Sequence, residues 1–189
     1  MNITALDFET ANYADQSICA VGLAVFQDGQ LDEAAYWLVR PPKGFGWFRE
    51  DFTEQCHGLT WFDVQNSPEF PAIAPQLIQR LAAADIVVAH NADFDMRKLR
   101  GTLEHFAIPH PAFAYLCTMQ LSRRVWPELP RHSLDAVAAH IGHQFQHHHA
   151  RADAEAAARV LLAAMRHAGV RTLGELTDKY EVEMLRFSA

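Results

Sequence analysis

The sequence predicts an α/β fold in which a mixed sheet is covered by helices on both faces. Three observations predict it. Strand-like apolar runs with a hairpin fill the first forty or so positions, helix-like and strand-like segments then alternate, and the last third reads as helix. With 189 residues, half of them hydrophobic, the chain is long enough for one domain with its own core.

The elements follow in order. "NITALDF" is the first strand, and residues 19–26 and 31–39 form a hairpin turning on Asp28-Gly29, closed by Pro41-Pro42. Residues 43–71 form a long loop with short helical turns, rich in aromatics (Trp47, Phe48, Phe52, Trp61, Phe62), and loops of this length tend to carry function. A helix over 75–83 leads to an apolar strand over 85–90. Asn91 then caps a helix with Phe94, Leu99, Leu103 and Phe106 on its apolar side. "FAYLCT" is the fifth strand. The helices "MQLSRRVW", "SLDAVAAHIG" and "ARADAEAAARVLLAAMRHAG" come next, and a Thr172-capped helix over 172–186 ends the chain. No linker, repeat or composition shift divides the chain, so a single domain over 1–189 with a core of about 1–168 is expected.

Composition narrows the function. No apolar run reaches the roughly 20 residues of a membrane helix, and the N-terminus lacks a basic-then-apolar secretion layout, so no membrane partner and a cytoplasmic location are expected. Cys19, Cys56 and Cys117 form no CxxC pair, which argues for reduced thiols and against a zinc ribbon. A formal charge of -7 argues against a general nucleic-acid coat but leaves room for an enzyme that grips one end of a strand.

The acids carry the chemistry. Asp7 and Glu9 in "ITALDFET" stand two residues apart, on one face at a strand end. "HNADFD" places Asp93 and Asp95 in the first turns of a helix, about 200° apart, so only one of them can face a common site. "HHHARADAEA" opens the long helix. Ends of strands are where sites in open α/β sheets lie, and carboxylates crowded there suit hard divalent cations such as Mg²⁺ or Mn²⁺.

In this order, the segments "LDFET", "VVAHNADFDMRKL" and "HHARADAEA", with "CTMQLSRRVWPELPRHSLDAVAAHIG" between the last two, resemble the DEDDh family of 3′-to-5′ exonucleases. The resemblance runs from about Ile3 to Ala168 and implies a ribonuclease H-like mixed sheet, here of five strands. It implies that Asp7, Glu9, Asp95 and Asp153 hold two Mg²⁺ ions, for which Mn²⁺ substitutes, and that His148, five residues before Asp153, is the general base. His147 and His149 do not fit the pattern. Five helical residues rotate by about 500°, so His148 should lie in the loop before the helix that carries Asp153.

Phe8, Thr10, Asn91 and Phe94 are the candidate substrate contacts. Phe8 points away from Asp7 and Glu9, which favours a core role, whereas Phe94 is balanced between core packing and stacking on a base. His57, His90 and His132 suit local hydrogen bonding. A zinc site from His140, His143 and His147 is the rival reading of the histidine-rich loop, and Gly142 argues against their convergence.

The chain departs from the family where Ala11-Asn12 follow Thr10 in place of the usual Thr-Gly, and where Cys117 stands in place of an Asp. The implied reaction is metal-dependent removal of nucleoside 5′-monophosphates from the 3′ ends of single-stranded DNA or RNA. The short stretch after Ala168 favours a stand-alone nuclease over a polymerase partner, with monomer and homodimer both open. An inactive nucleic-acid-binding or polymerase accessory module and a phosphoesterase on short oligonucleotides are the alternatives.

Overall fold

The computed structural model describes residues 1–188. The strands are β1 (Asn2–Thr10), β2 (Ile18–Gln27), β3 (Gln30–Leu38), β4 (Ile86–Ala89), β5 (Phe113–Cys117) and β6 (Leu185–Phe187). The helices are α1 (Glu50–Phe52), α2 (Trp61–Val64), α3 (Phe70–Ala83), α4 (Ala92–His105), α5 (Thr118–Val125), α6 (Leu134–His140), α7 (Ala150–Ala168) and α8 (Leu173–Tyr180), with a π-helical turn at Thr53–His57. The sheet order is β3-β2-β1-β4-β5-β6. β1 pairs antiparallel with β2 and parallel with β4, which makes the sheet mixed.

Alternation along β1 decides what each face sees. Ile3 and Ala5 pack with Ala24, Val88 and the apolar side of α7, whereas Leu6 and Phe8 pack with Leu77, Leu81 and Leu99 of α3 and α4. Asp7 and Glu9 continue the Ile3–Ala5 face. They emerge beside α7 where β1 ends.

The approach of α7 to the sheet depends on small residues. Ala150, Ala154, Ala157 and Ala158 are buried along the helix. Gly22, paired with Asp7 across β1 and β2, lies so close to Ala150 that a Cβ there would overlap the helix backbone.

Three boundaries differ from the sequence reading. The helix expected over 75–83 starts at Phe70, because Pro71 suits a first turn; Pro75 inside it removes only one ladder hydrogen bond. The C-terminal helix expected over 172–186 stops at Tyr180, where Glu181 turns with φ 53°. Residues Leu185–Phe187 instead form a sixth strand, antiparallel to β5, with the Phe187 ring stacked 4.9 Å from Phe113. Burial of Phe187 on that edge outweighs one more helical turn.

Candidate active site

Each acid reaches the site from a different element. Asp7 and Glu9 come from the end of β1, Asp95 from the first turn of α4 and Asp153 from the first turn of α7. Ligand oxygens of Asp7, Glu9 and Asp153 all lie within 4.8 Å of one another. Asp95 is buried beside them, and its Oδ1 accepts the Phe8 backbone N–H at 3.1 Å. Asp93 faces solvent, as its rotation on the helix requires.

Burial raises every carboxyl in the cluster. Burial pushes Asp7 well above the usual carboxylate range, and the charges of Asp95, Glu9 and Asp153 push the same way. Burial followed by Asp153 and Asp95 takes Glu9 up to about 8. Burial lifts Asp153 to about 7 against the pull of the His149 and His148 backbone N–H groups. It also raises Asp95, opposed by hydrogen bonds from the Phe8 and Asp95 backbones. Asp153 Oδ2 is buried with no hydrogen-bond partner. A buried oxygen without a donor, among acids that repel one another, is what a multivalent cation relieves.

The histidines surround this cluster. His147 and His148 precede α7 and line the cleft together with Asp7, Glu9, His90 and Asn91. His148 is held with φ 62°, a conformation that strains a residue with a Cβ. Its ring stacks on His147 at 3.9 Å, and the next residue, His149, stacks on Tyr36 of β3 at 4.4 Å. The sequence pattern missed His147, whose Nε2 lies 3.5 Å from Asp153 Oδ1.

The remaining candidates divide between core and cleft. Phe8 is buried in the α3–α4 core and offers the site its backbone rather than its ring. Thr10 is also buried, its carbonyl accepting the His57 Nε2–H at 3.1 Å while His57 Nδ1 accepts from the Leu59 amide. Asn91 is exposed at the cleft in the left-handed region that asparagine tolerates. Phe94 is partly buried against the core with Lys98 Nζ 5.3 Å from its ring centre. His90 is fixed between the His132 carbonyl at 2.8 Å and the Thr118 hydroxyl at 3.0 Å, and burial holds its pKa at about 4, so it stays neutral.

Two further residues, neither of them among the candidate site residues, shape the site. Lys98, one turn after Asp95, is buried and donates to the Tyr13 and Ala14 carbonyls at 2.8 and 2.9 Å. Asn12, at the position that departs from the family, donates to the Phe45 and Trp47 carbonyls, both at 2.8 Å. Together they fix the loop that leaves Glu9. Among the described residues, the acids are the one group that could hold a metal, so His140, His143 and His147 do not form a zinc site. His140 instead packs on Trp126, and His143 stacks on Phe145.

A mixed sheet flanked by helices, with acids from three elements converging at a strand end, defines a nuclease of the DEDDh type. The model of the RNase T exonuclease family matches residues 4–161, and the chain belongs to that family. The PolC-type DNA polymerase III of Thermotoga petrophila is 29% identical over 179 residues, covering 92% of this chain and 13% of the polymerase. That of Streptococcus pneumoniae strain D39 is 32% identical over 111 residues, 58% of this chain and 8% of the polymerase. The chain thus spans about an eighth or less of these relatives. Exonuclease X in complex with 5′ overhanging duplex DNA superposes with a TM-score of 0.73 at 25% identity, covering 93% of this chain and 98% of that one. The nuclease domain of 3′hExo, a DEDDh family member bound to rAMP, gives a TM-score of 0.73 at 14% identity, covering 97% and 96%, a likeness of fold. No helix among the described residues is long and apolar enough to cross a membrane.

Proposed function

We propose that this chain, as a single domain over 1–189, is a divalent-metal-dependent 3′-to-5′ exonuclease that removes nucleoside 5′-monophosphates from single-stranded or frayed DNA or RNA. The observation that carries the reading is the convergence of Asp7, Glu9 and Asp153 within 4.8 Å, with one Asp153 oxygen buried and unpartnered. The donor set is all oxygen and suits Mg²⁺, with Mn²⁺ in its place. Asp7, Glu9, Asp95 and Asp153 are the residues that would hold two such ions. When bound, the ions supply charge neutralisation, an acidified water and stabilisation of the departing 3′ oxygen.

The chain's own groups do the rest. His148 accepts the proton of the attacking water, a role suited to an imidazole that lines the cleft beside the acids. Stacking of His147 on His148 and of His149 on Tyr36 orients that imidazole. Asn91 and the backbone of the Thr10 loop border the terminal nucleotide, and the partly exposed Phe94 ring is available to a base. The named relatives are polymerases, which supports a second reading: the domain works beside a polymerase, as an accessory of low activity. A phosphoesterase on short oligonucleotides is the remaining variant.

Mass spectrometry of the products from an unlabelled single strand with Mg²⁺ tests the reading. Nucleoside 5′-monophosphates are expected. Nucleoside 3′-phosphates, or binding without any product, would overturn it.

A further inference from the structure

A second cleft lies at the same end of the sheet as the acids. It encloses about 630 Å³ and is lined by Arg40, Pro42, Lys43, Gly46, Trp47 and Trp61, among others. The sheet register places it. Glu9 pairs with Ala20 and Ala20 with Leu38, so the end of β3 stands two strand spacings, about 10 Å, from Glu9, and Arg40 follows two residues later. Asn12 ties the two places together, because it lies three residues beyond Glu9 and its amide holds the Phe45 and Trp47 carbonyls.

The lining has a particular chemistry. Trp47 is 55% and Trp61 39% exposed, although large apolar rings normally find cover. The Trp61 ring packs against Gly46, where a Cβ would come within 2.8 Å of it. Lys43 is exposed and pairs with no acid among the described residues, while Arg40 is held by Glu69 at 3.2 Å. In a chain of net charge -7, the lining of this cleft brings together an unpaired ammonium and two open indoles. Aromatic faces beside a cation suit single-stranded nucleic acid: stacking accepts any base, and the cation meets a phosphate.

We propose that this cleft binds the substrate strand upstream of its 3′ end, with one base stacked on Trp47 and a phosphate at Lys43. The proposal rests on the exonuclease reading, since it takes the strand entering the acid site to continue past Asn12 and along the end of β3. It makes strand length, rather than base identity, the property this surface selects.

The test compares Trp47→Ala and Lys43→Glu with the full wild-type chain on a 5′-labelled dinucleotide and on a single strand of about 16 nucleotides, the upper site size of such grooves. For the long strand, Trp47→Ala should raise KM about 5- to 150-fold, the worth of one stacked base. Turnover of the dinucleotide should stay unchanged. Lys43→Glu should raise KM for the long strand and flatten its salt dependence. Long-strand kinetics equal to wild type in both variants would overturn the proposal while leaving the exonuclease reading intact.

If wild type hydrolyses neither substrate, the exonuclease reading fails by itself, and the anisotropy of a fluorescein-labelled strand in EDTA decides the cleft. Affinity lost in both variants supports it, and affinity unchanged overturns it. Sedimentation tests the rival occupant. Concentration-dependent dimerisation that disappears in Trp47→Ala would assign the cleft to a second copy and overturn the proposal.

Discussion

Gly22 of β2 lies directly beneath Ala150, the first residue of α7, with no room between them for a side chain. Because Gly22 is the cross-strand partner of Asp7, the same contact sets how far Asp153 stands from Asp7 and Glu9. Gly22→Ala should therefore push the helix outward. A loss of about 1–3 kcal/mol in stability is expected from overpacking, with turnover down about a hundredfold if the shift approaches 1 Å. Thermal melting and kcat of the purified variant check this; wild-type values for both would mean that the helix is not positioned by this contact.

The metal-free site should be sensitive to pH in a defined direction. Glu9 at about 8 and Asp153 at about 7 lie above their unfolded values, so the folded chain holds protons that the unfolded chain has released. This contribution is fully present below about pH 4, near the unfolded values, and fades as pH rises through 7 to 8. In EDTA, Tm should fall between pH 5 and pH 8, the unfolding free energy dropping by up to about 1.4 kcal/mol per pH unit for each carboxyl still protonated. Saturating Mg²⁺ should restore about 2.7 kcal/mol at a hundredfold excess over Kd and flatten the dependence. A Tm in EDTA that rises over this range would contradict the account.

Asp7→Asn separates stability from function. Replacing a carboxyl whose ionisation is opposed by burial and by its acidic neighbours with a neutral amide should raise Tm in EDTA while abolishing both activity and the Mg²⁺-induced shift. Calorimetric titration with Mn²⁺ reads the lost binding, and an undiminished titration would remove Asp7 from the ligand set.

His147 stands 3.5 Å from Asp153 and stacks on His148, so the two rings need to be distinguished. His148→Gln should lower kcat by about 10²- to 10⁴-fold, the range for a lost general base. His147→Gln should lower it much less, through looser orientation of its neighbour. The reverse order would transfer the proton-accepting role to His147.

Lys98 is a positioning residue for the loop that follows Glu9. Lys98→Met keeps the stem but takes the Lys98 donor from the Tyr13 carbonyl, leaves the Ala14 carbonyl to Ser17 alone, and breaks the 3.3 Å ion pair to Asp15. A loss of about 1–3 kcal/mol in stability is expected for a carbonyl and a carboxylate deprived of their donor, together with a raised KM. An unchanged KM alongside a lowered Tm would make the lysine purely structural.

Much of this was legible in the sequence. The order of elements follows from period and turn signals, and three motifs in register pointed to Asp7, Glu9, Asp95 and Asp153, which the fold brings to one end of the sheet. What escaped depends on distant partners. Leu185–Phe187 is too short to show alternation and becomes a strand only because β5 offers an open edge. Pro75 masked the true start of α3, since a proline inside a helix reads as its beginning. The constraint on Gly22 comes from α7 lying across it, a helix more than a hundred residues later in the chain. Lys98 reads as a solvated helix charge, and its burial depends on a loop more than eighty residues earlier in the chain.

The most direct measurement is shortening of a 5′-labelled single strand, as DNA and as RNA, by wild type with Mg²⁺, beside Asp7→Asn and an EDTA control. A ladder that shortens stepwise from the 3′ end in wild type alone is the predicted result. Strands of full length in every lane, with the strand still bound, would contradict the account and leave a nucleic-acid-binding module that does no hydrolysis.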